Sequence, residues 1–318
     1  MSSASASAQA DRAEPSPAAQ PPSGYRLFDL RVKRRLPITP SLLRLVFTGA
    51  DVAQMNTLAP DQRVKLLFPA ADGSLPAFDN RLHWNDARRQ LPLDQRPPMR
   101  TYTIRALRRD AAEVDVDFVL HGINGPASAW ATHATEGDRV QMVAPNLAFA
   151  GDPGGYEWKP PQGLQRLLLV GDETALPAIA GILQQLAEQA SQARVQAFIE
   201  VPLLADCLEL ARPAHTELHW LAREQLRSEH GQAMLEAVRE QAWLPTAAAS
   251  AAGELDELNI DEDILWEQAS GEGGEFHAWI AGESSTVMTL RRWLIQERGL
   301  DRRTLSLMGY WRAGRSLD

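Results

Sequence analysis

Through the first half of the chain, apolar residues alternate with polar ones in short runs. Residues 27–34, 42–47, 64–68, 101–107, 114–121 and 138–143 show the period of two that sends successive side chains to opposite faces of a β-strand. Clusters of Pro, Gly and Asp separate them, so the pattern predicts six strands closing into a small antiparallel barrel. Between residues 69 and 98 it lapses into a polar, proline-containing stretch that predicts a loop over the barrel. After a Gly/Pro-rich joint at residues 151–163 the period changes. Leu167-Leu168-Leu169-Val170 is an unbroken apolar run, residues 177–186 have helical spacing, and 195–199, 278–281 and 289–296 repeat strand, strand and helix. Unbroken apolar strands alternating with helices imply a parallel sheet covered on both faces. The expected division is a tail (1–24), a barrel (25–150) and an α/β domain (151–318).

Composition sharpens this outline. Residues 1–24 are mostly Ser, Ala, Pro and Gln, too poor in apolar groups to offset the entropy of ordering, and predict a disordered tail. The net charge of −9 is local: residues 246–275 hold nine acidic residues and no Lys or Arg, so the rest of the chain is formally neutral. That stretch is expected to be a solvated acidic insertion. No basic strip points to nucleic acid and no apolar run is long enough to span a membrane. Cys207 is the one cysteine, which excludes an internal disulfide or a thiolate-held cluster and suits a cytoplasmic setting; a packed thiol is its expected state.

Candidate chemistry concentrates in a few segments. Along Met99-Arg100-Thr101-Tyr102-Thr103-Ile104-Arg105, strand alternation sends Arg100 and Tyr102 one way and Thr101, Thr103 and Arg105 the other. A phenol ring with a polar tip and a phosphate-matching guanidinium suit a flavin nucleotide; a half-exposed strand with ordinary cross-strand pairs fits equally well. His121-Gly122-Ile123-Asn124-Gly125-Pro126-Ala127-Ser128 leads from a strand into a helix. Its free amides form a pyrophosphate site with Ser128 adding a hydroxyl, or else a plain helix cap.

Gly171-Asp172-Glu173-Thr174-Ala175-Leu176-Pro177 follows the first parallel strand, where open α/β sheets bind ligands, but two carboxylates replace the glycines of the dinucleotide fingerprint. Asp172 and Glu173 would then touch a nicotinamide nucleotide only loosely, or complement a helix N-terminus. His215 and His219 have the spacing of a helical metal pair, yet their neighbours read as a strand and no third ligand is evident, so no metal is expected. Gly309-Tyr310-Trp311-Arg312 suits either a cofactor cover or a packed terminal strand.

Together these segments resemble the siderophore-interacting proteins, FAD-dependent ferric-siderophore reductases related to the ferredoxin-reductase superfamily. The matching residues are Val64-Lys65-Leu66-Leu67-Phe68-Pro69, Arg100 to Arg105, Asp117-Phe118-Val119-Leu120-His121-Gly122, Gly125-Pro126-Ala127-Ser128, Gly171 to Pro177, Ala281-Gly282-Glu283 and Gly309-Tyr310-Trp311-Arg312, all in the family's order.

The resemblance implies an antiparallel Greek-key FAD-binding barrel followed by a parallel-sheet NAD(P)H-binding-like domain. By position, Arg100, Tyr102, Thr103 and Arg105 would hold the flavin ring and nearby phosphate. His121, Gly125, Ala127, Ser128 and Trp130 would hold the remainder of FAD, and Thr174 would face it from the second domain. Lys65 and Arg312 would line a basic pocket for the ferric siderophore; Asn146 stands where the family often has a third basic residue, with Arg63 or Arg105 as substitutes. Asp172, Glu173, Glu283 and Arg291 are the candidates for NADPH or NADH, and Arg292 shares the helix with Arg291.

The implied reaction passes an electron through FAD to chelated Fe(III) and releases Fe(II), with no catalytic acid, base or nucleophile. Ferredoxin is the alternative donor. A flavin-containing reductase of another acceptor and a non-catalytic siderophore-binding flavoprotein are the alternative functions.

Overall fold

The computed structural model describes residues 22–70, 72–78, 83–123, 125–246, 265–270 and 274–315. The expected tail therefore lies almost wholly outside the described residues. Seven antiparallel strands make the first sheet: β1 (Tyr25–Thr39), β2 (Leu42–Thr48), β3 (Arg63–Leu67), β4 (Met99–Thr103), β5 (Ala106–Arg108), β6 (Glu113–Val119) and β7 (Arg139–Pro145). Their order is β4-β3-β7-β1-β2-β6-β5.

β4 and β5 stand at opposite ends of that order, yet only Ile104 and Arg105 separate them in the chain. The Ile104 N–H donates to Gln62 O beside β3 and the Arg105 N–H to Asp115 O on β6, each at 2.9 Å. One kinked segment thus closes the barrel, and β4 and β5 taken together leave the six strands anticipated from the alternation. Phe28, Leu45, Phe47, Leu66, Val116, Phe118 and Met142 fill the interior.

The expected loop after β3 carries a helix, α1 (Trp84–Gln90), whose N-terminal Asn85 N–H donates to His83 Nδ1 at 3.4 Å. Trp84 and Phe78 anchor this segment on Leu67, Met99 and Val143 of the outer barrel face. A second helix, α2 (Pro126–His133), packs Ala127 and Ala131 against the barrel interior.

The second sheet holds β8 (Arg166–Gly171), β9 (Arg194–Val201), β10 (Thr216–Ala222), β11 (Trp266–Glu267), β12 (Phe276–Glu283) and β13 (Leu305–Trp311), ordered β10-β9-β8-β12-β13-β11. All neighbours are parallel except β11, which runs antiparallel to β13. Helix α3 (Leu176–Glu188) covers one face; α5 (Gln232–Gln241) and α6 (Ser284–Arg292) cover the other, and a short α4 (Arg223–Leu226) follows β10. Such apolar strands, buried on both sides, pair in parallel because helices shield both faces from water.

One expectation needs correction. Residues 247–264 and 271–273 of the acidic stretch lie outside the described residues, but the part between them is no solvated linker. Leu265 and Ala269 are buried, β11 completes the sheet edge, and Glu267 pairs with Arg291 (2.7 Å) and Arg302 (2.8 Å). His219 lies on strand β10 with its ring stacked on Phe198 at 4.5 Å, where a four-residue spacing makes no helical face. No helix among the described residues is long and apolar enough to cross a membrane.

Candidate active site

The kinked closing segment organises the site. On β4, Tyr102 turns toward the barrel interior, its ring 4.5 Å from Phe118 and 6.5 Å from Phe68. Burial pushes its hydroxyl pKa well up, so the phenol stays neutral. Trp130 of α2 joins the same cluster, 5.4 Å from Phe68 and 6.3 Å from Phe118. The structure thereby brings Tyr102 and the turn before α2 to one end of the barrel. It also gives Trp130 a packing role that spacing did not reveal.

In that turn His121 and Gly125 are exposed, and Gly125 has φ 109°, a conformation costly for any side chain. A Cβ at Gly122 or Gly125 would meet nothing within 4 Å, so this backbone is open to a ligand. Gly125 supplies no side-chain cap to α2. Ser128 differs from expectation: it is buried, and its hydroxyl donates to Gly122 O (2.6 Å) and accepts from the His121 N–H (3.4 Å). It shapes the turn, leaving backbone amides to meet an anion.

The other face of the segment borders a cavity of about 490 Å³. Lys65, Arg63 and Thr101 line it with Tyr25, Trp84 and Phe149. Lys65 Nζ donates to Thr101 Oγ1 at 3.3 Å. Arg63 is already engaged, with Nη2 2.8 Å from Glu157 Oε1 and its guanidinium 4.1 Å from the Trp266 ring centre. Arg105 points to the second domain, where it donates to Gln184 Oε1 at 3.0 Å, and Asn146 Nδ2 donates to Ser23 O at 3.1 Å. Thr103, opposite Arg63 across β3 and β4, is buried. Arg312 follows β13 and forms a backbone bridge with Arg315. The cavity's aromatic wall was not read from sequence; the lone Trp84 in an otherwise polar stretch was its available signal.

The nicotinamide-nucleotide candidates are put to other uses. Asp172 is 0% exposed and accepts from the Thr174 N–H (2.9 Å), the Glu283 N–H (2.9 Å) and Trp311 Nε1 (2.8 Å). It ties together the ends of β8, β12 and β13, and the Thr174 hydroxyl also donates to it. Glu173 makes two 2.8 Å bonds with Arg223, and Glu283 caps α6 by accepting from the Ser285 and Thr286 N–H groups. Arg291 is 2% exposed and paired with Glu267, so it cannot greet a phosphate in solvent, whereas Arg292 is exposed.

Two family models match the chain: the siderophore-interacting FAD-binding domain over residues 31–149 and the siderophore-interacting protein over residues 164–314. The chain belongs to the siderophore-interacting protein family. The ferric vibriobactin reductase ViuB of Vibrio cholerae is 26% identical over 294 residues, covering 92% of this chain and 90% of its own. An NADPH-dependent ferric-chelate reductase of Escherichia coli is 25% identical over 293 residues, covering 91% and 94%. The solved structure of a siderophore utilization protein from T. fusca matches with a TM-score of 0.70 and 30% identity, covering 93% of this chain and 96% of that one.

A ferredoxin reductase of carbazole 1,9a-dioxygenase, at 12% identity and a TM-score of 0.56, shares the fold alone. In this siderophore-interacting protein the donor set fits FAD. A neutral phenol on the same strand face as Arg100 suits a flat ring and its phosphate, and the uncapped, open start of α2 suits the rest, whereas the buried Thr103 faces the other way.

Proposed function

We propose that this protein is an FAD-dependent ferric-siderophore reductase, with the chelate seated in the Lys65 cavity and a nicotinamide nucleotide as electron donor. The observation that carries the reading is the closing segment itself. Neighbouring positions on β4 place Tyr102 with the flavin candidates and Thr101 on the wall of a cavity that holds Lys65 and Arg63. When bound, FAD supplies the electron that reduces chelated Fe(III) to Fe(II), which hard oxygen ligands hold far less tightly. The chain's residues supply position and field. Lys65, steadied by Thr101, presents positive charge to an anionic chelate, and Tyr25, Trp84 and Phe149 offer flat apolar surface to aromatic arms.

Arg100 and the α2 amides would neutralise the cofactor's phosphates, while Tyr102 would orient its ring. On this reading the α/β domain is the donor's docking site, and the name of the E. coli relative supports NADPH. The test is anaerobic. The FAD-loaded protein should lose its flavin absorbance with NADPH, NADH or reduced ferredoxin, and the donor that bleaches it is thereby identified. Adding a ferric siderophore should restore the colour and yield trappable Fe(II). Protein that takes up no FAD, or that bleaches and yields no Fe(II) with any ferric chelate, refutes the proposal.

A further inference from the structure

Where the barrel meets the second sheet, two buried acids are joined through a backbone bond, and one of them holds a cation. Asp61, 0% exposed just before β3, accepts through Oδ2 from the Glu157 N–H (2.9 Å), the Trp158 N–H (2.8 Å) and Trp279 Nε1 on β12 (3.1 Å). Glu157, 5% exposed, accepts from Arg63 through Oε1. Asp61 Oδ1, Glu157 Oε2, Trp266 Nε1 and the Tyr310 hydroxyl on β13 are buried without a close hydrogen-bond partner, and the Trp266 indole, facing Glu157, partly favours its charged form. Tyr310 is held against Trp266 (stacked, 5.8 Å) and Trp279 (edge-on, 6.2 Å), and Trp266 in turn carries the Arg63 guanidinium.

Two bare carboxylates beside a single guanidinium would leave an uncompensated negative charge out of water. One proton removes that charge and turns an orphan acceptor into a donor. Burial raises the pKa of both acids, in keeping with this. Of the other titratable groups at the seam, Lys159 acts on Glu157 with positive charge but more weakly than Arg63, while Asp152 near Tyr25 and Asp172 near Tyr310 add negative charge. His277 on β12 is held neutral by burial at a pKa of about 4, and Tyr25 on β1 is pushed up to about 12 while donating to Arg63 O. Lys159 lies over the outer Tyr156 ring at 4.8 Å.

We propose that Asp61 and Glu157 share one proton at neutral pH, and that Glu157 takes up a further proton from solvent when an anionic chelate draws the Arg63 guanidinium away from it. The second half rests on the functional reading above, because Arg63 lines the Lys65 cavity. The step is a carboxylate plus a solvent proton giving a carboxylic acid; no electron moves. Its consequence is that chelate affinity rises as pH falls.

Infrared spectroscopy of the FAD-loaded protein at neutral pH should show a carboxylic acid carbonyl band that shifts in heavy water. Glu157→Gln or Asp61→Asn should remove or weaken it. Absence of any such band in the wild type, or a band unchanged in both variants, overturns the shared proton. If neither variant folds, calorimetry on the wild type decides. Titration with a ferric tris-catecholate in two buffers of different ionisation enthalpy should show uptake of about one proton per chelate. Binding without proton uptake overturns the linkage and leaves the Lys65 reading intact. Failure to bind any ferric chelate overturns that reading, while the infrared result still decides the shared proton.

Discussion

Acidification should weaken this protein through one buried imidazole. His277 is 1% exposed on β12, edge-on to Trp158 at 5.7 Å and 3.4 Å from Ser306 Oγ, and burial lowers its pKa from 6.5 to about 4. Above pH 6.5 the ring is neutral in both the folded and the unfolded chain, so it adds no pH dependence there. Between 6.5 and 4 the unfolded chain binds a proton that the folded chain refuses, and stability falls as the pH falls. The gap of 6.5 − 4, at about 1.4 kcal/mol per pH unit, amounts to roughly 3 kcal/mol. Against a typical folding margin of about 5–15 kcal/mol that is a large share.

The assay is urea unfolding followed by tryptophan fluorescence, at steps from neutral pH down to about pH 4. A His277→Phe variant keeps an aromatic beside Trp158 and cannot titrate. Across the window the wild type should lose up to about 3 kcal/mol more than the variant. Parallel pH curves for the two proteins would refute the assignment of this proton to His277.

Other substitutions test the remaining contacts. Lys65→Ala should weaken binding of an anionic ferric chelate on the order of tenfold at low salt, with a smaller effect at high salt; affinity unchanged for every chelate tried would remove Lys65 from the site. Asp206, whose two carboxylate oxygens accept from the Ser41 and Leu203 N–H groups at 3.0 Å, joins the two sheets. Asp206→Ala should cost about 1–3 kcal/mol in a denaturant titration, because it strands a buried donor. At Gly155 (φ 78°) an added Cβ would come within 1.9 Å of the Tyr25 hydroxyl. Gly155→Ala should therefore reduce chelate affinity by displacing the cavity wall while leaving FAD uptake unchanged in a flavin titration. Arg291→Met should lower thermal stability by unpairing Glu267, yet leave the preference between NADPH and NADH unchanged in initial-rate assays.

Most core-facing strands declared themselves in the order of their residues, since period two along 114–121 or an unbroken run at 167–170 has one low-cost burial. The elements that escaped notice were held by distant partners. Strand β11 has two residues and exists because Trp266 pairs with Met308 and stacks on Tyr310. Helix α1 has a polar exterior and one anchoring tryptophan. The strand position of Tyr102 and the turn at Gly125 were legible because both are local patterns. The surroundings of the charged residues on the second sheet were not. A carboxylate such as Asp172 looks the same in sequence whether it faces a ligand or, as here, fastens three strand ends, and Arg291 on an amphipathic helix looks like a surface charge until β11 folds over it.

The bond from Trp279 to Asp61 joins residues 218 positions apart. Its partner groups are divided between the two halves of the gene, so neither half carries the full set of contacts that this carboxyl requires. Hybrids assembled by splicing the N-terminal half of one relative to the C-terminal half of another would inherit mismatched fasteners, and those retaining an indole opposite the acid should be recovered most often. Selection would therefore act on the two halves as one inherited unit.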